Sequence, residues 1–319
     1  MVKGQIPVEK YETGNTKHSW NIDKLKSKHK TIAEYKYKKG EVNKGFAGRT
    51  LYVNLSTGVI KEKTITEEMK KLFTGGRGFG LKLMWDSIKP STRWNSEEND
   101  LVITTGPLCG TTQYPGSGKS LCLTVSPSTD IICDSNVGGF FGPYLKFAGF
   151  DAIEIQGKAK EDVVIVIDGE EGKIRIETAP EEETNSHLLA EQLTYMYASE
   201  DTEKSRQKVS AVSAGKAAEN SYWGCLNFSF YDIRRKVPRL KQAGRGGLGT
   251  VLRDKKIKAV VSKVEDVSGL SNKPADPDAL AEVGTKLHKE IRDLDRYQCN
   301  MRAVGTTHLI EIMDEYDLL

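Results

Sequence analysis

The sequence predicts an α+β fold, strand-rich to about residue 265 and helical beyond it. Three observations carry this expectation. Short apolar runs, alternating or continuous, recur along the chain; glycine-rich loops stand at their ends; and apolar spacing changes to a helical period after Pro277. The length, 319 residues with 38% hydrophobic content, suffices for one large or two modest cores.

Residues 1–46 read as a basic N-terminal extension, marked by Lys24, Lys26, Lys28, Lys30, Lys36, Lys38, Lys39 and Lys44. Such a stretch is expected to be a solvated arm, or to dock on a partner subunit. Residues 50–55 and 59–63 alternate around Ser56-Thr57-Gly58, which predicts a hairpin. Thr64 and Glu67 have capping-box spacing for a short helix through Phe73. Further strands are expected at 101–105, 120–125, 152–155, 163–167, 173–177, 209–212 and 256–261. The polar link 267–274 marks a boundary, after which 278–297 and 306–316 carry helical periodicity. The chain thus divides into 1–46, a domain at 47–265, and 266–319 as the beginning of a helical domain that stops unclosed.

The richest local signal is Ala243-Gly244-Arg245-Gly246-Gly247-Leu248-Gly249-Thr250. Bare backbone amides around a fixed cation suit close approach to a phosphate-bearing group. Gly244, Gly246 and Gly249 satisfy the dinucleotide pattern, which requires a strand before it and a helix after it. Residues 234–241 are basic and broken by Pro238, and the following residues read as a turn and then a strand, so a nucleotide fold is not expected. Gly116-Ser117-Gly118-Lys119-Ser120 imitates a Walker A loop but has Gln113 where the first glycine belongs. Two more loops, Gly75-Gly76-Arg77-Gly78 and Asn136-Val137-Gly138-Gly139, complete the set. Singly, each is a turn or a helix cap. Together, three of the four carry Arg77, Lys119 or Arg245, which suits a polyanionic ligand.

Other classes are disfavoured. A net charge of +3 is too small to suggest nucleic-acid binding, and no apolar run approaches the length of a membrane span. The N-terminus has no apolar signal region, so the cytoplasm is the expected compartment. Cys109, Cys122, Cys133, Cys225 and Cys299 include no C-x-x-C pair, which argues against a disulfide framework or a self-contained cluster. Cys109, within Gly106-Pro107-Leu108-Cys109-Gly110-Thr111, is the cysteine expected to face a ligand. The five histidines are isolated and are assigned no catalytic role.

Taken in order, Gly48-Arg49-Thr50-Leu51-Tyr52-Val53-Asn54-Leu55-Ser56-Thr57-Gly58, the Gly75, Gly106 and Asn136 loops, Leu145-Lys146-Phe147-Ala148-Gly149-Phe150-Asp151 and the 243–249 loop resemble the N-terminal portion of the aldehyde:ferredoxin oxidoreductase family of tungsten enzymes, over roughly residues 45–319. The resemblance implies two β-sheets forming a platform for a tungsten bis-pyranopterin, whose own dithiolene sulfurs hold the metal, so no metal ligand is expected from this chain. Magnesium is an optional companion. Carried across, the contacts fall on Lys119, Asn136, Gly138, Lys241, Gln242 and Gly244, with Arg245 beside them; Arg77, Gly139 and Gly246 from the same loops join the candidate set. Ser135 receives no role.

The chain departs from the family in two ways. Lys119 and Lys241 stand where arginine is typical, which keeps the charge and loses the planar fork, and the insertion 231–240 disturbs the approach to Lys241. The family's C-x-x-C-x-x-x-C segment for a 4Fe-4S cluster, and its catalytic acid and histidine, lie beyond Leu319, so no catalytic residue is expected here. Gly305-Thr306-Thr307-His308-Leu309-Ile310 resembles the helix just before that segment. The resemblance therefore implies part of an aldehyde oxidoreductase passing electrons to ferredoxin or another electron-transfer subunit, completed by a C-terminal half or second subunit. A relative reducing an aromatic acyl thioester and a non-catalytic module that has lost the cofactor are the alternatives.

Overall fold

The structure, a computed structural model, describes residues 21–179, 185–298 and 301–318. The strands among these residues are β1 (Thr31–Lys36), β2 (Arg49–Asn54), β3 (Val59–Thr64), β4 (Leu101–Thr105), β5 (Ser120–Val125), β6 (Ile132–Val137), β7 (Ala152–Gln156), β8 (Val163–Asp168), β9 (Lys173–Thr178), β10 (Val209–Ser213), β11 (Leu226–Asp232), β12 (Val237–Ala243) and β13 (Ile257–Lys263). They form a six-stranded sheet ordered β3-β2-β7-β4-β5-β6 and a seven-stranded sheet ordered β1-β9-β8-β13-β10-β11-β12. Each sheet contains one parallel pair, β2 with β7 and β8 with β13. The fold is α+β, as expected.

The main core lies between the sheets. Helix Phe141–Phe147 is apolar nearly all round and every one of its residues is buried, which is what such a composition requires. Strands β4, β5, β8 and β10 are buried along their whole length because both faces are covered, and they accordingly read as continuous runs of apolar and small residues. Helix Arg77–Ser87 covers the outer face of the six-stranded sheet through Leu83 and Met84. Leu189 and Leu193 of helix Ser186–Tyr197 cover the outer face of the other sheet.

Four strands were not expected. β1 forms within the lysine-rich stretch and pairs antiparallel with β9, so residues 31–36 are a sheet edge and not a free arm. β6 carries Asp134 and Asn136, and β11 and β12 form a hairpin over the expected insertion. Pro238 is accommodated because β12 is an edge strand, where a missing N–H costs no ladder bond. A strand therefore does precede the 243–249 loop, and helix Leu248–Asp254 follows it, contrary to the local order the sequence suggests. The dinucleotide fold stays excluded for another reason: β12 runs antiparallel to β11 at a sheet edge, with no parallel crossover unit. The short helix Glu67–Phe73 is capped by Thr66, whose hydroxyl accepts from the Met69 N–H at 3.1 Å; Thr64 is still part of β3.

Lys146 and Asp151 are both buried, 3.2 Å apart. The Lys146 ammonium also donates to the carbonyls of Gly45 and, at 2.8 Å, Gly106. Asp151 accepts from the Ala47 and Gly48 N–H groups at 3.1 and 2.8 Å. One charge pair thus fixes the entry to β2 and the exit from β4.

Beyond residue 266, Asp276 caps helix Pro277–Leu294 by accepting from the Ala279 N–H at 2.9 Å. Only Leu280 and Gly284 of this helix are buried, and Val283, Ile291, Leu294, Leu309 and Ile310 are exposed. No helix among the described residues is long and apolar enough to cross a membrane.

Removing one member of a buried pair leaves the other charge uncompensated. Lys146→Ala and Asp151→Ala should each destabilise the fold by about 3–5 kcal/mol, read from chemical denaturation. A loss within about 0.5 kcal/mol, the ordinary range of surface substitutions, would show that the pair is not structural.

Candidate functional site

Strand β6 organises the candidate site because its two faces serve different neighbours. In the ladder, Thr104 opposes Leu121 and Leu121 opposes Asn136, so these three residues share a face. They floor a cleft of about 550 Å³, walled by Gly76, Arg77, the 106–109 loop, Gly116, Ser117 and Lys119. Arg77, at the start of its helix, donates from Nε and Nη2 to Asp134 Oδ2 at 2.9 and 2.7 Å. This pair is largely exposed and contributes little stability, but it closes the rim of the cleft between the helix and β6.

The opposite face of β6 receives the glycine loop. Ser135 Oγ accepts from the Arg245 N–H at 3.3 Å. Ser135, which the sequence left without a role, is therefore what seats the loop. Gly246 lies against Cys133: a Cβ there would come within 2.4 Å of its sulfur. Gly247 is left-handed, φ 65°, and its Cβ would stand 2.0 Å from the Tyr222 carbonyl oxygen. These two glycines are required by protein packing.

Other glycines face open space. A Cβ at Gly76, Gly106, Gly116 or Gly244 would meet no atom within 4 Å. Gly138 is nearly as open, with only Lys241 Cγ at 3.9 Å. Ser120 pairs with Val137, which brings Lys119 alongside Gly138 from the other side. Two exposed lysines thus flank a bare stretch of backbone that a ligand could approach closely.

The structure therefore brings Arg77, Lys119 and Asn136 into one cleft, sets Gly138 and Lys241 at its margin, and holds Gly244 and Arg245 across β6 from it. Two candidates point elsewhere. Gln242 Nε2 donates to Asn227 Oδ1 at 3.4 Å, and Gly139, φ 100°, packs toward Phe228. Cys109 does line the cleft, but burial pushes its thiol up to about 12, so it remains protonated at neutral pH. Asp134, tied to Arg77, is the site residue that sequence reasoning missed; the two lie 57 positions apart, and no local spacing signals the pair. Among the described residues no His, Cys, Asp and Glu side chains gather as a metal site.

Residues 50–264 match the model of the aldehyde ferredoxin oxidoreductase N-terminal domain. The chain belongs to the aldehyde ferredoxin oxidoreductase family. The tungsten-containing aldehyde ferredoxin oxidoreductase of Pyrococcus horikoshii is 35% identical over 277 residues, covering 86% of this chain and 42% of the relative. The aliphatic sulfonate oxidoreductase, WOR-like subunit, of Pyrococcus furiosus is 32% identical over 227 residues, or 68% of this chain and 34% of that one. Among solved structures, the active site complex BamBC of benzoyl coenzyme A reductase, in complex with 1,5 dienoyl-CoA, superposes with a TM-score of 0.59 at 29% identity, covering 70% of this chain and 32% of that chain. The chain thus spans about two fifths of the length of the aldehyde oxidoreductases it matches.

The glycine geometry separates packing from ligand approach. Gly244→Val should leave the unfolding midpoint nearly unchanged, since its Cβ enters open space, while lowering ligand occupancy. Gly247→Val should cost about 2 kcal/mol or more, because a β-branched residue is forced into a left-handed conformation against a carbonyl. Equal melting curves for the two variants would refute this division.

Proposed function

We propose that the chain is the tungstopterin-binding part of an oxidoreductase that oxidises an aldehyde or related oxo substrate. The observation that carries the reading is the cleft on β6, where exposed Lys119 stands beside open glycine backbone at Gly76, Gly106 and Gly116 within a domain of this family. The residues fit the group. Lys119, Lys241 and Arg245 are exposed cations suited to phosphate oxygens, and the open backbone at Gly138 and Gly244 leaves room for a flat ring system to lie close. Asn136, exposed on the cleft floor, can both donate to and accept from the edge of a pterin.

When bound, the tungsten centre would supply two-electron redox chemistry. This chain's part is to bind and orient it. Lysine holds phosphate as a point charge, so Lys119 and Lys241 fix position more than angle, and Asn136 supplies the directional contact. We further propose that a 4Fe-4S cluster, the substrate-facing groups and a route to ferredoxin belong to a C-terminal region or partner subunit, which would also cover the exposed apolar residues of 283–312. The structural likeness to BamBC supports a second reading, reduction of an aromatic acyl thioester on the same platform.

Elemental analysis of the protein purified anaerobically in its native assembly should find tungsten together with pterin. Lys119→Ala and Lys241→Ala should each weaken retention about tenfold or more, the value of one charge-assisted hydrogen bond. Absence of both tungsten and molybdenum from the anaerobically purified native assembly would overturn the reading in favour of a non-catalytic module.

A further inference from the structure

We propose that Asn272 is a positioning residue for the cleft, the clamp through which the segment beyond the matched domain fixes the cleft wall. Asn272 lies outside residues 50–264 and has no exposed surface. Its Nδ2 donates to the carbonyls of Pro107 and Cys109 at 2.9 and 2.7 Å, and both residues line the cleft. Its Oδ1 is buried without a partner, so the amide is kept for its two donors at the expense of an unsatisfied acceptor.

Neighbouring contacts press on the same loop. A Cβ at Gly269 would come within 2.9 Å of the Thr112 backbone nitrogen, and one at Gly284 within 2.1 Å of the Gln113 carbonyl oxygen. Neither glycine has a left-handed φ, so close approach alone excludes a side chain there. The next residue, Lys273, accepts from the Gly45 N–H at 3.3 Å, which ties the turn to the segment held by Lys146.

The clamp reaches Lys119, one of the cations of the cleft, through a short path. Asn272 holds the Cys109 carbonyl, and the adjoining Gly110 N–H donates to the Ser117 carbonyl at 2.9 Å, two residues before Lys119. Freeing the Pro107 and Cys109 carbonyls would release the base of this loop and, with it, the placement of Lys119. The inference rests on the proposed cofactor only for the identity of the bound group; the clamp itself is a property of this chain.

Asn272→Ala removes both donors, and Asn272→Leu does so with an uncharged side chain of similar shape, so the Leu variant carries the comparison if Ala impairs folding. In the full chain without cofactor, amide exchange at Cys109, Gly110 and Thr111 should quicken about tenfold or more in both variants, while β4 and β10 amides keep their protection. In the native assembly both variants should lose tungsten and pterin on dialysis faster than the parent. Unchanged exchange in the 109–111 amides, or wild-type protection in the Leu variant, would overturn the clamp. Faster exchange with undiminished cofactor retention would overturn its positioning role. A parent protein that carries no cofactor would sink the proposed function instead, and the exchange data would still decide whether Asn272 clamps the loop.

Discussion

Lys146 buries its ammonium completely in the protein interior, where an isolated charge would be untenable. Asp151 makes the position possible, and the remaining protons of the ammonium are spent on the carbonyls of Gly45 and Gly106. Those partners set the geometry of the rest. Gly106 begins the loop that walls the cleft, and Ala47 and Gly48, held by the Asp151 carboxylate, lead into β2, which pairs with β7 just after Asp151. The backbone of Asp151 is used as well: its carbonyl accepts from the Thr105 N–H at 2.9 Å, binding the end of β4 to the same point. Without this pair the cleft would lose its fixed wall before any ligand contact was touched.

What the sequence made legible follows burial. Strands covered on both faces, such as β5 and β8, are apolar enough to be read directly. The missed strands β1, β6 and β12 are all sheet edges, and β11 adjoins one. At an edge the composition answers to solvent or to the site: β1 is lysine-bearing, β12 holds Pro238 and Arg239, and β6 carries Asp134 and Asn136 on the cleft side. Glycine loops were legible as loops, but which of them face open space was not. Gly246 and Gly244 look equivalent in the chain, and the positive φ of Gly246 together with the approach of Cys133 separates packing from access.

Strand β6 joins two tasks that usually fall to different elements. Its alternation puts Asp134 and Asn136 on the cleft and Cys133 and Ser135 under the glycine loop, so a one-residue slip would exchange the two sets completely. The ladder to β5 over Ser120–Val125 protects that register, and the buried Val137 locks its end into the core. The same strand therefore holds the loop cation and the floor amide at a fixed separation. On the proposed reading, Lys119 and Lys241 hold phosphate as point charges, so angular definition falls to backbone and amide contacts and to rigid loop seating.

The parallel pairings also dictate an order of assembly during synthesis. Every strand of the six-stranded sheet has been made once residue 156 leaves the ribosome, whereas the seven-stranded sheet cannot close until β13 ends at Lys263. At about 5–20 residues per second, the intervening chain takes roughly 5–20 s to emerge. In the first part of that interval, until residue 178 is made, the inner face of the first sheet and helix Phe141–Phe147 have no second layer, and β1, already synthesised, waits for β9. The nascent chain thus presents a broad apolar surface and an unpaired strand at the same time, the circumstances in which a growing polypeptide depends on chaperone shielding.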